Sequence, residues 1–457
     1  MRKFASYLAP AVALALVLAA CGADDTADGP EPGDDPVEDL DEDLDASGDD
    51  GVDAEPSGDF AGETVTMWFN GTPDSHGAVL EDILPAFEEE TGITVDYEIT
   101  NWDTYQQEIA TAAAGGTLPD IIFGFSNLVG GFAERGILAD HGEFFNEADF
   151  VPATVDLTTY DGTWSMIPMW FGASALSYRA DLIEEAGFDP DTEPADWDEL
   201  LEWAQGATTD DQLGFYSSSF GFNKTGFFFS LLEANGATQF SADGSEVAFN
   251  SPEGVEAAAF FQELSQCCDQ LGAIEADNIG LGQGQTAMVY NNFAFRDWAE
   301  EFPDLYSAEI GRLIRVPSGP SGDGEASTLN LGANVIGVTS QANNPAAAAE
   351  VIRYFVLDEE NIVRFAGLSG QIPASNVSDD NPYFDTNPFI GRYRELAVEA
   401  GRSEPVHPNF GEYDSIMQSY IEELLTGSDP QDVMDRAADE VQSEIIDRSG
   451  VPFTTFD

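Results

Sequence analysis

Most of the residues able to do chemistry in this chain are carboxylates. Its 457 residues hold 86 Asp or Glu against 15 Lys or Arg, so paired acids arise by chance and do not by themselves mark a glycosidase. His76, His141 and His407 are scattered, and beyond Cys21 the cysteines are the adjacent Cys267 and Cys268. Neither pattern has metal-ligand spacing, and the cysteine pair reads as structural, free or bonded. No nucleophile elbow, zinc helix or phosphate loop stands in the context it needs. The chain is therefore read as a non-enzyme with no catalytic residue, metal or cofactor. It does offer flat rings and side-chain amides, which together hold small hydroxylated molecules. Rings cover apolar C–H faces, and amides or carboxylates bond hydroxyl edges.

Those groups gather where strands are predicted to end. Thr64–Phe69 is a β-branched and aromatic run that stops at Asn70-Gly71. Residues 77–90 show helical apolar spacing through Val79, Leu80, Ile83, Leu84 and Phe87. Ile93–Tyr97 reads as a second strand, Trp102–Ala114 as a helix ending at Gly115-Gly116, and Leu118–Gly124 as a buried strand. Such alternation implies an α/β fold with parallel sheet covered by helices, and ligands in such sheets bind beyond the carboxyl ends of the strands. The candidates there are Asn70 and Asp74, then Trp102, then Ser126 and Asn127. Asn70 and Asn127 also suit helix caps. The run Phe220–Phe229 is too aromatic for an ordinary loop and contributes Lys224 and Phe227. Phe227 and Phe229 fit a core as well as a ligand platform, and Lys224 fits a surface ion pair as well as a contact.

Several ordered segments carry a resemblance. They are Ala112–Ile122, Asp161–Pro168, Ala175–Leu182, Pro194–Leu200, Gly284–Val289, Leu331–Val338, Ala346–Phe355 and Gly370–Ala374. In this order across residues 63–457 they resemble family 1 extracellular solute-binding proteins, the group containing maltose-binding protein. The resemblance implies a two-lobe, class II-like binding-protein fold, each lobe a mostly parallel sheet flanked by helices, joined by hinge crossings. Residues 60–171 with 337–378 would form lobe 1, and 172–336 with 379–457 lobe 2. It also implies binding of a sugar or sugar-like ligand between the lobes and delivery to ABC permease subunits; a monomer is the default expectation. Trp170 and Phe171 would lie near the first crossing, Asn334 near the second, Asn291, Asn292 and Phe293 where the family places an aromatic platform, and Tyr413 in the last segment. Asn127-Leu128 and Gly172 replace charged positions of the maltodextrin binders, so the ligand need not be a maltodextrin. Receptors for polyamines, metals or other non-sugar solutes, and a secreted glycosidase, stay open as alternatives.

The ends and the charge bound the setting. Arg2-Lys3, the apolar stretch Leu8–Leu18 and Leu18-Ala19-Ala20-Cys21 read as a signal peptide over 1–21 with a lipobox, Cys21 being the lipidated residue. Residues 22–59 are rich in Asp and Glu and lack Lys and Arg, which reads as a disordered acidic tether. The expected location is extracytoplasmic, lipid-anchored to the outer face of the membrane. A net charge of -71 argues against nucleic acid or anionic lipid surfaces as partners and fits adaptation to high salt.

Overall fold

The computed structural model describes residues 60–101, 104–218, 221–268, 277–291, 295, 298–378, 381–386 and 388–455. Twelve strands are found among them: β1 Thr64–Asn70, β2 Thr94–Thr100, β3 Ile121–Phe125, β4 Thr159–Tyr160, β5 Thr163–Trp164, β6 Ile167–Ala173, β7 Ala175–Arg179, β8 Met288–Asn291, β9 Gly311–Ile314, β10 Leu329–Val338, β11 Ile372–Pro373 and β12 Gly401–Ser403. The larger sheet runs β11-β6-β10-β3-β1-β2, with β12 added on β10, and the smaller runs β8-β7-β9.

The first two sequence-predicted strands form where expected, and the third begins slightly later. In β1, Val65, Met67 and Phe69 point into the core while Thr64 stays exposed, as period-2 geometry requires. β2 closes the edge with exposed Thr94, Asp96 and Glu98, charge that discourages pairing with another chain. The helix Ala78–Thr91 buries Leu80, Ile83, Leu84 and Phe87 and ends at Gly92 in the left-handed region, φ 73°. Asp196 caps the helix Trp197–Ala207 by accepting from the Glu199 amide at 3.0 Å. Trp197 stacks on Phe260 at 4.4 Å and is a core residue.

β1 pairs parallel with β2 and β3, whereas β10 runs antiparallel to both β3 and β6. The expectation of mostly parallel sheets fails for the smaller sheet. Its β7–β8 and β7–β9 pairs are antiparallel, with parallel bridges added at Leu213–Thr286 and Tyr216–Val289. β6 and β7 follow one another along the chain with only Ser174 between them, and such a direct crossing dictates its own pairing. The two faces of the larger sheet bury separate apolar clusters. One contains Met67, Phe123, Ile336 and the helix residues Ile352 and Phe365; the other contains Ile122, Phe171, Val335 and Leu396. Around the smaller sheet, helices Gly221–Ala234, Pro252–Cys268, Phe410–Leu425 and Pro430–Val441 supply the third cluster. Cys267 and Cys268 are disulfide-bonded within it.

Two buried polar residues lock the larger sheet. Asp120 accepts from the Thr66 amide at 2.8 Å, the Thr66 hydroxyl at 2.7 Å and the Asn343 amide at 2.7 Å. His141, fully buried, accepts the Val338 amide on Nε2 at 2.8 Å, which leaves Nδ1–H to donate to the Trp164 carbonyl at 3.2 Å. Burial lowers its pKa to about 4. Because the folded value lies below the unfolded 6.5, the contribution is complete above that value and is lost as pH falls toward the folded pKa. Urea unfolding should find His141→Gln less stable than wild type by about 1–3 kcal/mol at neutral pH, from unpaired backbone groups. That gap should narrow by about 1–2 kcal/mol near pH 5.

Candidate ligand cleft

β6 leads through Ser174 into β7, carrying the chain from the larger sheet to the smaller. β10 lies beside it, and the Ser174 amide donates to the Asn330 carbonyl at 3.1 Å. A cavity of about 260 Å³ opens over this double crossing, near the small end of ligand sites, which run roughly 300–1,000 Å³. Ser174, Asn330, Gly332, Ala333 and Asn334 form its floor. One wall is Phe125, the last residue of β3, with Ser126 and Asn127 just past it and Gln371. The opposite wall is Thr225, Gly226 and Phe229 from one helix, with Glu404, Phe410, Tyr413 and Asp414.

The amides are partly satisfied and partly left over. Asn334 Nδ2 donates to Gln371 Oε1 at 3.2 Å, and Asn330 Nδ2 donates to the Gly226 carbonyl at 3.3 Å. All three residues are at most 8% exposed, yet Asn330 Oδ1, Asn334 Oδ1 and Gln371 Nε2 have no hydrogen-bond partner among the described residues. Their free donors and acceptors line a space that admits a guest. Rings border it on both sides. Phe125 is 41% exposed, unusual for a Phe that follows a buried strand. Across the cavity Phe229 lies parallel to Tyr413 at 6.2 Å, and Phe410 meets the Tyr413 ring edge-on at 5.7 Å. The Tyr413 hydroxyl is bonded to Gln239 at 2.8 Å, so the residue offers its ring.

The walls touch at the rim. A Cβ on Gly130, in the helix Val129–Glu134, would lie 2.9 Å from the backbone of His407, and one on Gly131 would lie 2.9 Å from the Pro408 carbonyl. Only glycine allows this approach. Two larger hollows lie elsewhere, but their polar linings are already engaged. Beside one, of about 380 Å³, Arg312 bonds Asp191 at 2.6 Å; in the other, of about 510 Å³, Arg436 bonds Glu423 at 2.6 Å.

The structure brings together Ser126, Asn127, Asn334 and Tyr413 from the sequence-predicted set. Others are placed differently. Trp170 is 1% exposed and stacks on Phe365 at 5.8 Å within the core. The cause is a register shift between Asn334 and Val335, which pair with Trp170 and Pro168 and leave Met169 as the extra residue. This bulge turns Trp170 to the face that already holds Ile167 and Met169. Phe171 is fully buried on the opposite face, within the apolar cluster that holds Val335 and Leu396. Phe227 is core, packed on Phe215, Phe261 and Tyr290, while Phe229, two positions on, reaches the cavity. Lys224 bonds Glu422 at 2.5 Å, the ion-pair alternative. Asp74 is exposed in the turn Pro73–Gly77, away from the cavity lining. Asn70 and Asn291 are buried at strand ends outside that lining, with Asn70 Oδ1 and both Asn291 amide atoms unpaired. Trp102, Asn292, Phe293 and Cys21 lie outside the described residues. Sequence reasoning passed over Phe125, Asn330, Gln371, Glu404 and Asp414. Phe125 had a signal, as the last residue before the predicted ligand loop.

The family model for bacterial extracellular solute-binding proteins matches residues 82–390. The chain belongs to this family. A binding protein of Brucella abortus (strain 2308) is 25% identical over 382 residues, covering 79% of this chain and 88% of the relative. The diacetylchitobiose binding protein of Streptomyces coelicolor is 24% identical over 432 residues, covering 88% and 93%. The cyclic α-maltosyl-1,6-maltose binding protein of Arthrobacter globiformis superimposes with a TM-score of 0.70 at 22% identity, covering 83% of this chain and 98% of that one. The solute-binding fold is thus the two-lobe α/β architecture expected. Among the described residues no helix is long and apolar enough to cross a membrane.

Within this solute-binding protein, core and cleft aromatics should separate by mutation. Trp170→Ala is expected to lower the unfolding free energy by about 3–5 kcal/mol, as for other large-to-small core changes. Phe125→Ala should leave it within about 1 kcal/mol. Urea denaturation of both variants checks the assignment.

Proposed function

We propose that this protein is a lipid-anchored receptor that captures a sugar or sugar-like solute in the cleft over β6 and β10 and delivers it to the permease of an ABC importer. The observation that carries this reading is the cavity, with leftover amide groups on its floor and aromatic rings on both walls. A ring stacks on the C–H face of a sugar while amides satisfy its hydroxyls, so few polar groups stay unpaired on binding. The diacetylchitobiose and cyclic maltosyl-maltose binding relatives support a carbohydrate guest.

The lobe boundaries read from the sequence, at 171/172 and 336/337, fall on β6 and β10, which we take as the hinge strands. A solute touching both walls favours the closed arrangement by its differential contacts, and the closed surface is what a permease would recognise. The role is binding, not catalysis.

A thermal-shift screen of mono- and oligosaccharides and polyols should find a stabilising solute. Small-angle scattering should then show contraction on its addition; an unchanged radius of gyration with a saturating ligand would remove the hinge. Phe125→Ala should weaken that ligand about 10–100-fold, the loss of one stacking face. Cys21→Ser should move the protein from the membrane fraction to the medium of the producing cells, because one acyl-anchored cysteine is the proposed tether.

A further inference from the structure

The cleft holds an acid corner that neutral-sugar binding does not account for. Glu404 and Asp414 both line the cavity, and its described lining includes no lysine, arginine or histidine. Asp414 Oδ2 accepts from Gln418 at 2.7 Å, whereas Glu404 has no hydrogen bond or ion pair among the described residues. Each neighbouring base is committed elsewhere: Arg402 to Glu233 at 3.3 Å, Lys224 to Glu422 at 2.5 Å. His407 accepts the Asn409 amide on Nδ1 at 2.9 Å and faces the Val451 carbonyl with Nε2, so it is held as the neutral ring. Burial, with the nearby Asp414 charge second, pushes the Glu404 carboxyl up to about 7; burial also raises Asp414.

The chain's general acid excess does not explain this corner, because surface acids are hydrated and enclosed ones are not. A comparison inside the same region is instructive. Glu233, like Glu404 largely but not fully enclosed, is given both Arg402 and the Thr328 hydroxyl. Among the described residues Glu404 is given neither a cation nor a donor, and it shares its cavity with Asn330, whose amide oxygen is likewise left open.

We infer that the solute carries a basic nitrogen, and that Glu404 and Asp414 hold its ammonium group while Asn330, Asn334 and the rings hold its hydroxylated body. The guest supplies the cation the fold withholds. The inference rests on the cleft reading proposed above and narrows its ligand to hydroxylated amines of the amino-sugar class.

Calorimetry at pH 7 with glucosamine and its β-1,4 dimer, each against its hydroxyl counterpart (glucose, cellobiose) and its N-acetylated counterpart, tests it. The amine is expected to bind at least about tenfold more tightly than either neutral partner. Glu404→Gln should abolish most of that preference, read as the ratio of amine to neutral-sugar affinity within the variant. Asp414→Asn should lower it in the same direction, and decides the matter if Glu404→Gln fails to fold by circular dichroism. Neutral partners binding as well as the amines, or a preference that survives both substitutions, would overturn the inference and leave sugar capture standing. No binding by any member, charged or neutral, would remove both.

Discussion

Everything in this molecule hangs on the antiparallel pairing of β6 with β10. Two strands that leave one sheet side by side must bond to each other, since their amides would otherwise be buried and unpaired where the sheets part. The pairing Leu331–Ala173 through Ile336–Ile167 meets that demand and continues to the Ser174 amide. It also brings Asn330 and Asn334 to the floor of the cavity over the crossing. A cavity at this point follows from geometry: each sheet is wrapped by its own helices, and the strip between them is left with polar groups facing a gap.

The walls of that gap are chemically unequal. One is a loop after β3 carrying an exposed ring and small polar residues. The other is a packed helical face in which aromatic rings stack on one another around Tyr413 before any guest arrives. Rigid rings on that face and an unstacked floor of amides make a site organised in advance, which lowers the entropy lost on binding. Acids concentrate on the same face, and their distribution differs from the rest of the chain in being enclosed. The glycines opposite His407 and Pro408 let the walls approach at backbone distance, so the rim closes without a side chain between them.

Much of the fold was legible in the amino-acid order. The β-branched and aromatic run of β1 and the helical spacing over 77–90 are local signals, and both elements formed where those signals lie. The site was legible only in outline. Strand ends pointed to Ser126 and Asn127, and the crossing pointed to Asn334. Trp170 was misplaced because one inserted residue in β6 reverses the side to which every later side chain points, and no local pattern announces it. Phe227 and Phe229 were indistinguishable in sequence; on the helix they face different directions, so one fills the core and the other meets the cavity.

The sequence by itself determined the class of the molecule: an α/β chain of alternating strands and helices, acidic throughout, with rings and amides placed at strand ends. Those properties depend on composition and short-range periodicity, which a linear string records. Tertiary structure decided which rings and acids share a cavity. Glu404 is one of 86 carboxylates in the sequence and becomes distinctive only because folding encloses it with Asp414 and assigns the nearest bases to other partners. Enclosure and pairing depend on residues far apart in the chain, and so they exist only once the chain has folded.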